Sequence, residues 1–407
     1  MILISIFCKF KILLWFKNNL SNLILLYNNK LSCLKILIKT IIFNTLKLFE
    51  FVKEQRVYGS YTGIPVLRCT LMGFERNYQV NILSNQKNKK TYSTLILKPK
   101  LNPWVITGLA DSEGSFIISL QTSDSTNTKW KVKPSFSLTF HKKDIEILEK
   151  ILNTLGVVKL RIKGNTNRVE YIVESFKDLP IIIEQFDSYP LITAKSSDYK
   201  LFKKCFEIIT KKEHLTEEGL KEIVSLKSSL NWGLSDKLKE AFPTVNAAAR
   251  PEFKFKDIPN PFWVSGFTTG DGSFNIVTRA SKHKKGFRVE LNYSILLHIR
   301  EKEVIIGLAD FFGLKISKSV EASATYIKYK YIYISDKSVQ IKISNFLDIE
   351  NKIIPFFDKY TLEGTKRLDF EDYKKAFKLI KSKEHLNLEG FTQILKIKAE
   401  MNDNRNV

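Results

Sequence analysis

The chain has 407 residues and carries 65 Lys+Arg against 42 Asp+Glu, a formal net charge of +23 at pH 7. So basic a balance points to a polyanionic partner, although ribosomal and membrane-surface proteins share it, and it narrows the class without naming a reaction. With 44% hydrophobic and 12% aromatic residues the chain can build two cores of ordinary domain size, and its four cysteines, Cys8, Cys33, Cys69 and Cys205, lack paired metal-ligand spacing and read as free thiols in a reducing compartment.

Residues 1–97 are a different kind of sequence. The first 49 contain no Asp, Glu or Arg and are crowded with Ile, Leu, Lys, Asn and Phe. Lys9, Lys11, Lys17, Lys30 and Lys35 interrupt the apolar runs, so none approaches the roughly 18 residues of a stable transmembrane span. Import presequences are Arg-rich, so this is not a typical one. The bias toward residues of A/T-rich codons suggests synthesis inside an organelle. Two readings stay open: an N-terminal extension, disordered or removed by processing, and a membrane-associated arm.

Patterned sequence begins near Lys98. Asn102 and Pro103 suit the N-cap and first position of a helix whose apolar run ends at Glu113-Gly114. Gly108 and Ser112, four apart, leave one face nearly flat. Strict alternation follows. Ser115, Ile117, Ser119 and Gln121 lie on one side of a strand, opposite Phe116, Ile118 and Leu120. On the returning strand Lys131, Lys133, Ser135, Ser137 and Thr139 oppose Val132, Phe136, Leu138 and Phe140, so one face packs on helices and the other is wet. His141-Lys142-Lys143-Asp144, Leu155-Gly156 and Lys212-Glu213-His214-Leu215 come next, and residues 235–258, with Pro243, Ala247-Ala248-Ala249 and Pro251, read as a linker.

Then the chain repeats itself. Asn260-Pro261 opens a second apolar helix, Gly266 and Gly270 take the flat-face positions, and Asp271-Gly272 ends it. Ser273, Asn275, Val277, Arg279 and Ser281 alternate with Phe274 and Ile276, and Arg288, Glu290, Asn292 and Ser294 with Val289, Leu291, Tyr293 and Ile295. His298-Ile299-Arg300-Glu301, Phe312-Gly313 and Lys383-Glu384-His385-Leu386 echo the first half in order. The fold class is therefore α+β, each half an αββαββα unit, with domains at 98–234 and 259–407 and the two sheets forming one saddle. Close-packed repeated helices with terminal acids can bring two carboxylates together on a pseudo-twofold axis, a common way to build a divalent-metal site.

These segments resemble the two LAGLIDADG motifs of single-chain homing endonucleases, with Thr107 to Gly114 and Ser265 to Gly272 in the signature positions. The similarity runs from about Lys98 to the C-terminus and points most closely to intron-encoded enzymes of fungal mitochondria. It implies a mitochondrial, organelle-encoded monomer with an internal pseudo-dimer that binds a long double-stranded DNA target of roughly two helical turns and breaks both strands to support intron homing. It further implies that Glu113 and Asp271 bind Mg2+, or another divalent cation, and cut one strand each. In similar enzymes a lysine near the position of Lys318 serves the site, and Arg161 lies at the same distance beyond His141 as Lys318 beyond His298. The two wet sheet faces would then lie in the major groove, with Arg279 and Asn275 able to read bases and Lys282, Lys284 and Lys285 at the hairpin tip holding phosphate. Two alternatives use the same scaffold: a maturase binding its host intron RNA, and a non-catalytic DNA-binding regulator, which would be expected to lose the motif acids.

The tip lysines give the first test. Replacing Lys282, Lys284 and Lys285 by alanine should weaken binding to every duplex and flatten the salt dependence by about 0.9 units of log–log slope per lost phosphate contact. An unchanged slope in a salt titration would take those residues off the backbone.

Overall fold

The computed structural model describes residues 57–58, 68–71, 74–76, 99–157, 159–162, 166–280, 287–315, 326–328, 330–402 and 405. Its contacts divide the chain into two units, Met1–Thr94 and Leu95–Val407. In the first, short strands β1 (Val57–Tyr58), β2 (Arg68–Leu71) and β3 (Phe74–Arg76) pair antiparallel in that order. Sequence patterning had not announced this sheet.

The second unit starts from a capped helix, α1 (Pro103–Glu113), in which the Asn102 side chain accepts the Trp104 N–H at 2.9 Å. Gly114 ends it in an extended conformation and passes straight into β4 (Gly114–Thr122). That glycine is required by space: a Cβ there would lie 2.5 Å from the Ala110 carbonyl oxygen. The left-handed conformation usual for a helix-ending glycine is not used. Then come β5 (Trp130–His141), α2 (Ile145–Leu155), β6 (Lys159–Ile162), β7 (Arg168–Val173), α3 (Leu179–Ser188), α4 (Lys195–Thr210) and α5 (Glu217–Ser228). The strands form an antiparallel sheet in the order β4-β5-β7-β6. Its inward face meets the helices through an aromatic cluster of Phe116, Phe136, Phe186, Tyr199 and Phe202, rings 5.1–5.7 Å apart.

The expected linker is bound down along its length. It carries a short helix, α6 (Asp236–Ala241). Beyond it the Ala248 N–H donates to the Ser225 carbonyl, and Arg250 grips both oxygens of buried Asp198 at 2.9 Å. Phe255 then packs against Gly307 of the second half, where a Cβ would meet its ring.

The second half repeats the plan: α7 (Pro261–Asp271), β8 (Gly272–Ala280), β9 (Phe287–His298), α8 (Lys302–Phe311), β10 (Tyr326–Lys328), β11 (Ile332–Ser335) and β12 (Ser338–Ile343). Helical turns from Phe346 lead into α9 (Ile354–Lys359), followed by α10 (Gly364–Lys381) and α11 (Leu388–Ala399). Asn260 caps α7 through the Phe262 N–H, again at 2.9 Å. The sheet order is β10-β11-β12-β9-β8, one strand more than its mate, and among the described residues the two sheets are separate. Phe274, Tyr293, Phe357, Phe370 and Tyr373 form the matching aromatic cluster. One αββαββα plan thus accounts for both halves.

The halves meet along α1 and α7, and their backbones touch. A Cβ on Gly108 would lie 2.5 Å from the Phe267 nitrogen, one on Gly266 would run into the Val105 carbonyl, and one on Gly270 would strike Ser112. The small residues singled out in the sequence are therefore the contact surface. Gly266→Ala should destabilise the protein by about 1–3 kcal/mol, the usual cost of overpacking, read as a shift in urea midpoint. A change within the roughly 0.5 kcal/mol of a neutral surface substitution would mean the helices part freely.

Candidate active site and nucleic-acid interface

Because α1 and α7 touch to their ends, Glu113 and Asp271 emerge side by side. Glu113 Cγ lies only 3.4 Å from where a Cβ on Gly270 would sit. Burial is the main cause raising the carboxyl of Asp271 to about 6, and the neighbouring Glu113 adds to it. Glu113 is raised too, again by burial first, with Lys195, Arg168 and Lys366 pulling against it. A cleft of about 670 Å³ opens beside Glu113 and is also lined by Thr139, His141, Arg168, Gly270 and Lys366.

Two lysines attend the acids. Lys195 Nζ donates to the Ala110 and Ser112 carbonyls at 3.2 and 2.5 Å, at the negative end of α1. Burial pushes its ammonium below the ordinary value, opposed by the charges of Asp111, Asp271, Glu113 and Glu301. Lys366 bears on both Glu113 and Asp271. A sequence signal for this pair existed: Tyr189, Leu191 and Lys195 recur with the same spacing at Tyr360, Leu362 and Lys366. Beneath them Asp111, 4% exposed, accepts from the Ile192 and Thr193 N–H groups, the Thr193 hydroxyl and, across the helix pair, Trp263 Nε1 at 2.8 Å. Its own burial lifts it to about 6. Sequence reading missed Lys195, Lys366, Arg168 and Asp111.

Strand register puts the expected polar residues on shared faces away from the helices. Ser115 pairs with Ser137, Ile117 with Ser135, Ser119 with Lys133 and Gln121 with Lys131. In the other sheet Ser273 pairs with Ser294, Asn275 with Asn292, Val277 with Glu290 and Arg279 with Arg288. Gln121, Lys131, Lys133, Arg279 and Arg288 are exposed, whereas Ser115, Ile117, Ser119, Thr139, Ser273, Asn275, Val277 and Glu290 are half-buried. One expectation needs correcting, because Ser135, Ser137, Asn292 and Ser294 are buried. They lie on interior strands β5 and β9, and alternation fixes the side a residue faces and not its depth. The faces extend onto the second strand pair of each half, whose residues the sequence reading had not named as part of them. Arg168 and Glu170 on β7 pair with His141 and Thr139, and Gln340 and Lys342 on β12 pair with Leu296 and Ser294. Lys342 also reaches Glu290 at 3.7 Å.

Lys318, Ser281, Lys282, Lys284 and Lys285 lie outside the described residues. Arg161 is on β6, exposed, and pairs with Glu174 at 3.2 Å; it is absent from the lining of the cleft beside Glu113. Counting from the histidines aligned it with Lys318. Strand register instead gives it the place of Tyr333, since Arg161 faces Glu170 as Tyr333 faces Gln340. The insertion that carries β10 breaks the equal count. His141 and His298 each accept the N–H two residues on at 3.3 Å, capping the turn after the hairpin.

The LAGLIDADG endonuclease family profile matches residues 106–206 and 264–377, taking in both helices and both lysine-bearing segments. This chain belongs to the LAGLIDADG endonuclease family. Curated relatives include Probable intron-encoded endonuclease 3 of Neurospora crassa, 34% identical over 362 residues covering 84% of this chain and 66% of the relative, just under two thirds of its length. Probable intron-encoded endonuclease 2 of the same organism is 34% identical over 356 residues, covering 84% and 74%. A Podospora anserina protein named for ND4 intron 1 is 34% identical over 188 residues, covering 41% and 42%. Among solved structures, the LAGLIDADG meganuclease I-CpaMI bound to uncleaved DNA superposes with a TM-score of 0.69 at 43% identity, covering 75% of this chain and 100% of that one. I-SmaMI bound to uncleaved DNA target with calcium ions gives 0.68 at 39% identity, covering 74% and 99%.

In this LAGLIDADG chain the paired acids oppose folding. With Asp271 at about 6 against an ordinary 3.8, the folded chain holds a proton there that the unfolded chain has released. Stability from this group is full below the lower value and lost as pH rises through the upper one. Metal-free Asp271→Asn protein should therefore melt above the unaltered chain at about pH 8 and converge with it toward about pH 4. Equal melting temperatures at the higher pH would contradict this.

Proposed function

We propose that the chain is a site-specific DNA endonuclease that makes a double-strand break at a long target, supporting the homing of its own intron. The observation that carries this is the pair of adjacent acids, Glu113 and Asp271, at the ends of backbone-packed helices, between two sheet faces that bear Lys131, Lys133, Arg279 and Arg288. Binding grooves fitted to a duplex need such positive faces, with phosphate contacts for register and side chains such as Asn275 and Arg279 for base edges.

The site fits a divalent cation shared with DNA. Among the described residues no group of three or more His, Cys, Asp or Glu gathers into a protein-only metal cage. Two carboxylates with phosphate oxygens and water are how Mg2+ is usually held. Glu113 and Asp271 would hold it, and it would supply a more acidic water and relief of charge on the phosphate. The protein's own share follows from the residues present. Asp271 is ionised above about pH 6, Lys195 and Lys366 balance the charge gathering at each scissile phosphate, and Arg168 reaches the same cleft. Lys318 joins them in the proposal on the resemblance alone. Arg161 is assigned to the rim, where Glu174 engages it.

Both halves lie in one chain, so a monomer suffices. No helix among the described residues is long and apolar enough to cross a membrane. Residence in the mitochondrion rests on the A/T-codon bias of residues 1–49 and on the relative named for an ND4 intron. The duplex made by joining the exons that flank the gene's intron is the proposed substrate. On it Glu113→Gln or Asp271→Asn should lower the single-turnover cleavage rate by about two or more orders of magnitude, while gel-shift affinity in calcium stays near that of the unaltered chain. Cleavage at an undiminished rate by either variant would remove the acids from the chemistry.

A further inference from the structure

Helix α4 begins at Lys195 and α10 two residues before Lys366, and neither N-cap residue, Ala194 or Glu363, caps its helix through its own side chain. Thr193 Oγ1 accepts the Lys195 N–H at 3.3 Å and Thr269 Oγ1 the Glu363 N–H at 3.2 Å. The other half supplies a further acceptor in both cases. Glu301, 6% exposed and lying in the turn before α8, takes the Ala194 N–H with both carboxylate oxygens at 3.2 and 3.1 Å. Asp144, in the matching turn before α2, takes the Thr365 N–H at 2.7 Å. Ala194 immediately precedes Lys195, and Thr365 immediately precedes Lys366. The two acids are themselves repeat mates, each three residues beyond its capping histidine.

We infer that Asp144 and Glu301 are positioning residues that act across the interface, each fixing the lysine with which the opposite half serves its scissile phosphate. An acid at a helix N-terminus is favourable on electrostatic grounds alone. Here it does more, because the N–H it holds is one residue from a side chain whose ammonium must sit against a carboxylate and a phosphate. A misplacement of about 1 Å at such a site can cost up to a hundredfold in rate. Glu301 is buried away from the cleft, and Asp144, at the cleft wall, acts through the N–H it holds. A loose interface would free both lysines at once, whereas loss of one acid frees one. The cut in each strand then depends on an acid from the half that carries the other lysine, and the double-strand break becomes a property of the assembled pair.

This rests on the nuclease reading above, and the test separates the two. On the joined-exon duplex, with each strand end-labelled in turn, Glu301→Ala should slow the cut in one strand by about tenfold and leave the other within about twofold. Asp144→Ala should do the reverse, and both should convert supercoiled plasmid to a persistent nicked form. Glu301→Gln and Asp144→Asn keep an acceptor oxygen and should restore balanced cutting. Should the alanine variants fail to fold, Glu301→Asp, which shortens the grip without deleting it, should still bias the strands. Equal slowing of both strands, or no slowing, would overturn the inference while leaving the nuclease intact. Absence of any cut by the unaltered chain would overturn the nuclease reading itself.

Discussion

Everything at the centre of this protein depends on two helices touching backbone to backbone. Gly108, Gly266 and Gly270 leave no side chain between α1 and α7, with Ser112 lying against the last of them, so the helix axes stay close from the caps at Asn102 and Asn260 to the acids at the other end. A larger residue anywhere along that line would wedge the ends apart and separate Glu113 from Asp271. The contact therefore does double service. It is the main seam between the halves and the device that sets the spacing of the two carboxylates.

That seam makes the centre electrostatically costly. Asp111, Glu113 and Asp271 are all held above their ordinary values by burial, and Lys195 is held below its own. A buried charge with no partner would be far worse, so the fold provides partners for the deepest of them. Asp111 has four donors, including Trp263 from the opposite helix. Lys195 satisfies two helix-end carbonyls. The acids at 113 and 271 have the charges of Lys195 and Lys366 beside them. Acids whose values are shifted together in a cleft are the pattern expected of a functional site.

The parts of this arrangement that were legible in the sequence are those written in local pattern. Asn-Pro caps, small residues four apart, an acid before glycine and strict alternation after it each follow from short-range geometry, and two copies made them hard to miss. Depth was not legible. Ser137 and Gln121 share a face and a parity, yet one is buried on an interior strand and the other is exposed near the hairpin end. Long-range placement was not legible either: Lys195 reaches α1 from a segment more than 80 residues on. The repeat at Tyr189 and Tyr360 could have revealed it, but only to a reader comparing the halves beyond their strands. Counting residues paired Arg161 with the wrong position because one half carries an insertion and an added strand, and register, which is what positions a strand residue, does not survive an insertion.

The two halves have stopped being copies at the places where being in one chain permits it. Asp111 corresponds to Thr269, which holds the Glu363 N–H through its hydroxyl at 3.2 Å. Lys150 on α2 bridges to Glu363 at 2.7 Å, while the matching position on α8 is Gly307, filled by Phe255 from the linker. On the outer faces Ile172 stands where Lys342 stands in the other sheet, since each pairs with the serine of its interior strand. A homodimer could make none of these changes on one side only, because symmetry would impose each of them twice. Fusion removes that constraint. The central seam must still match, since both helices contribute to one contact, but the sheet faces are free to differ. A pair of unlike faces can thus be set on one fixed centre, and the added strand β10 enlarges only one of them.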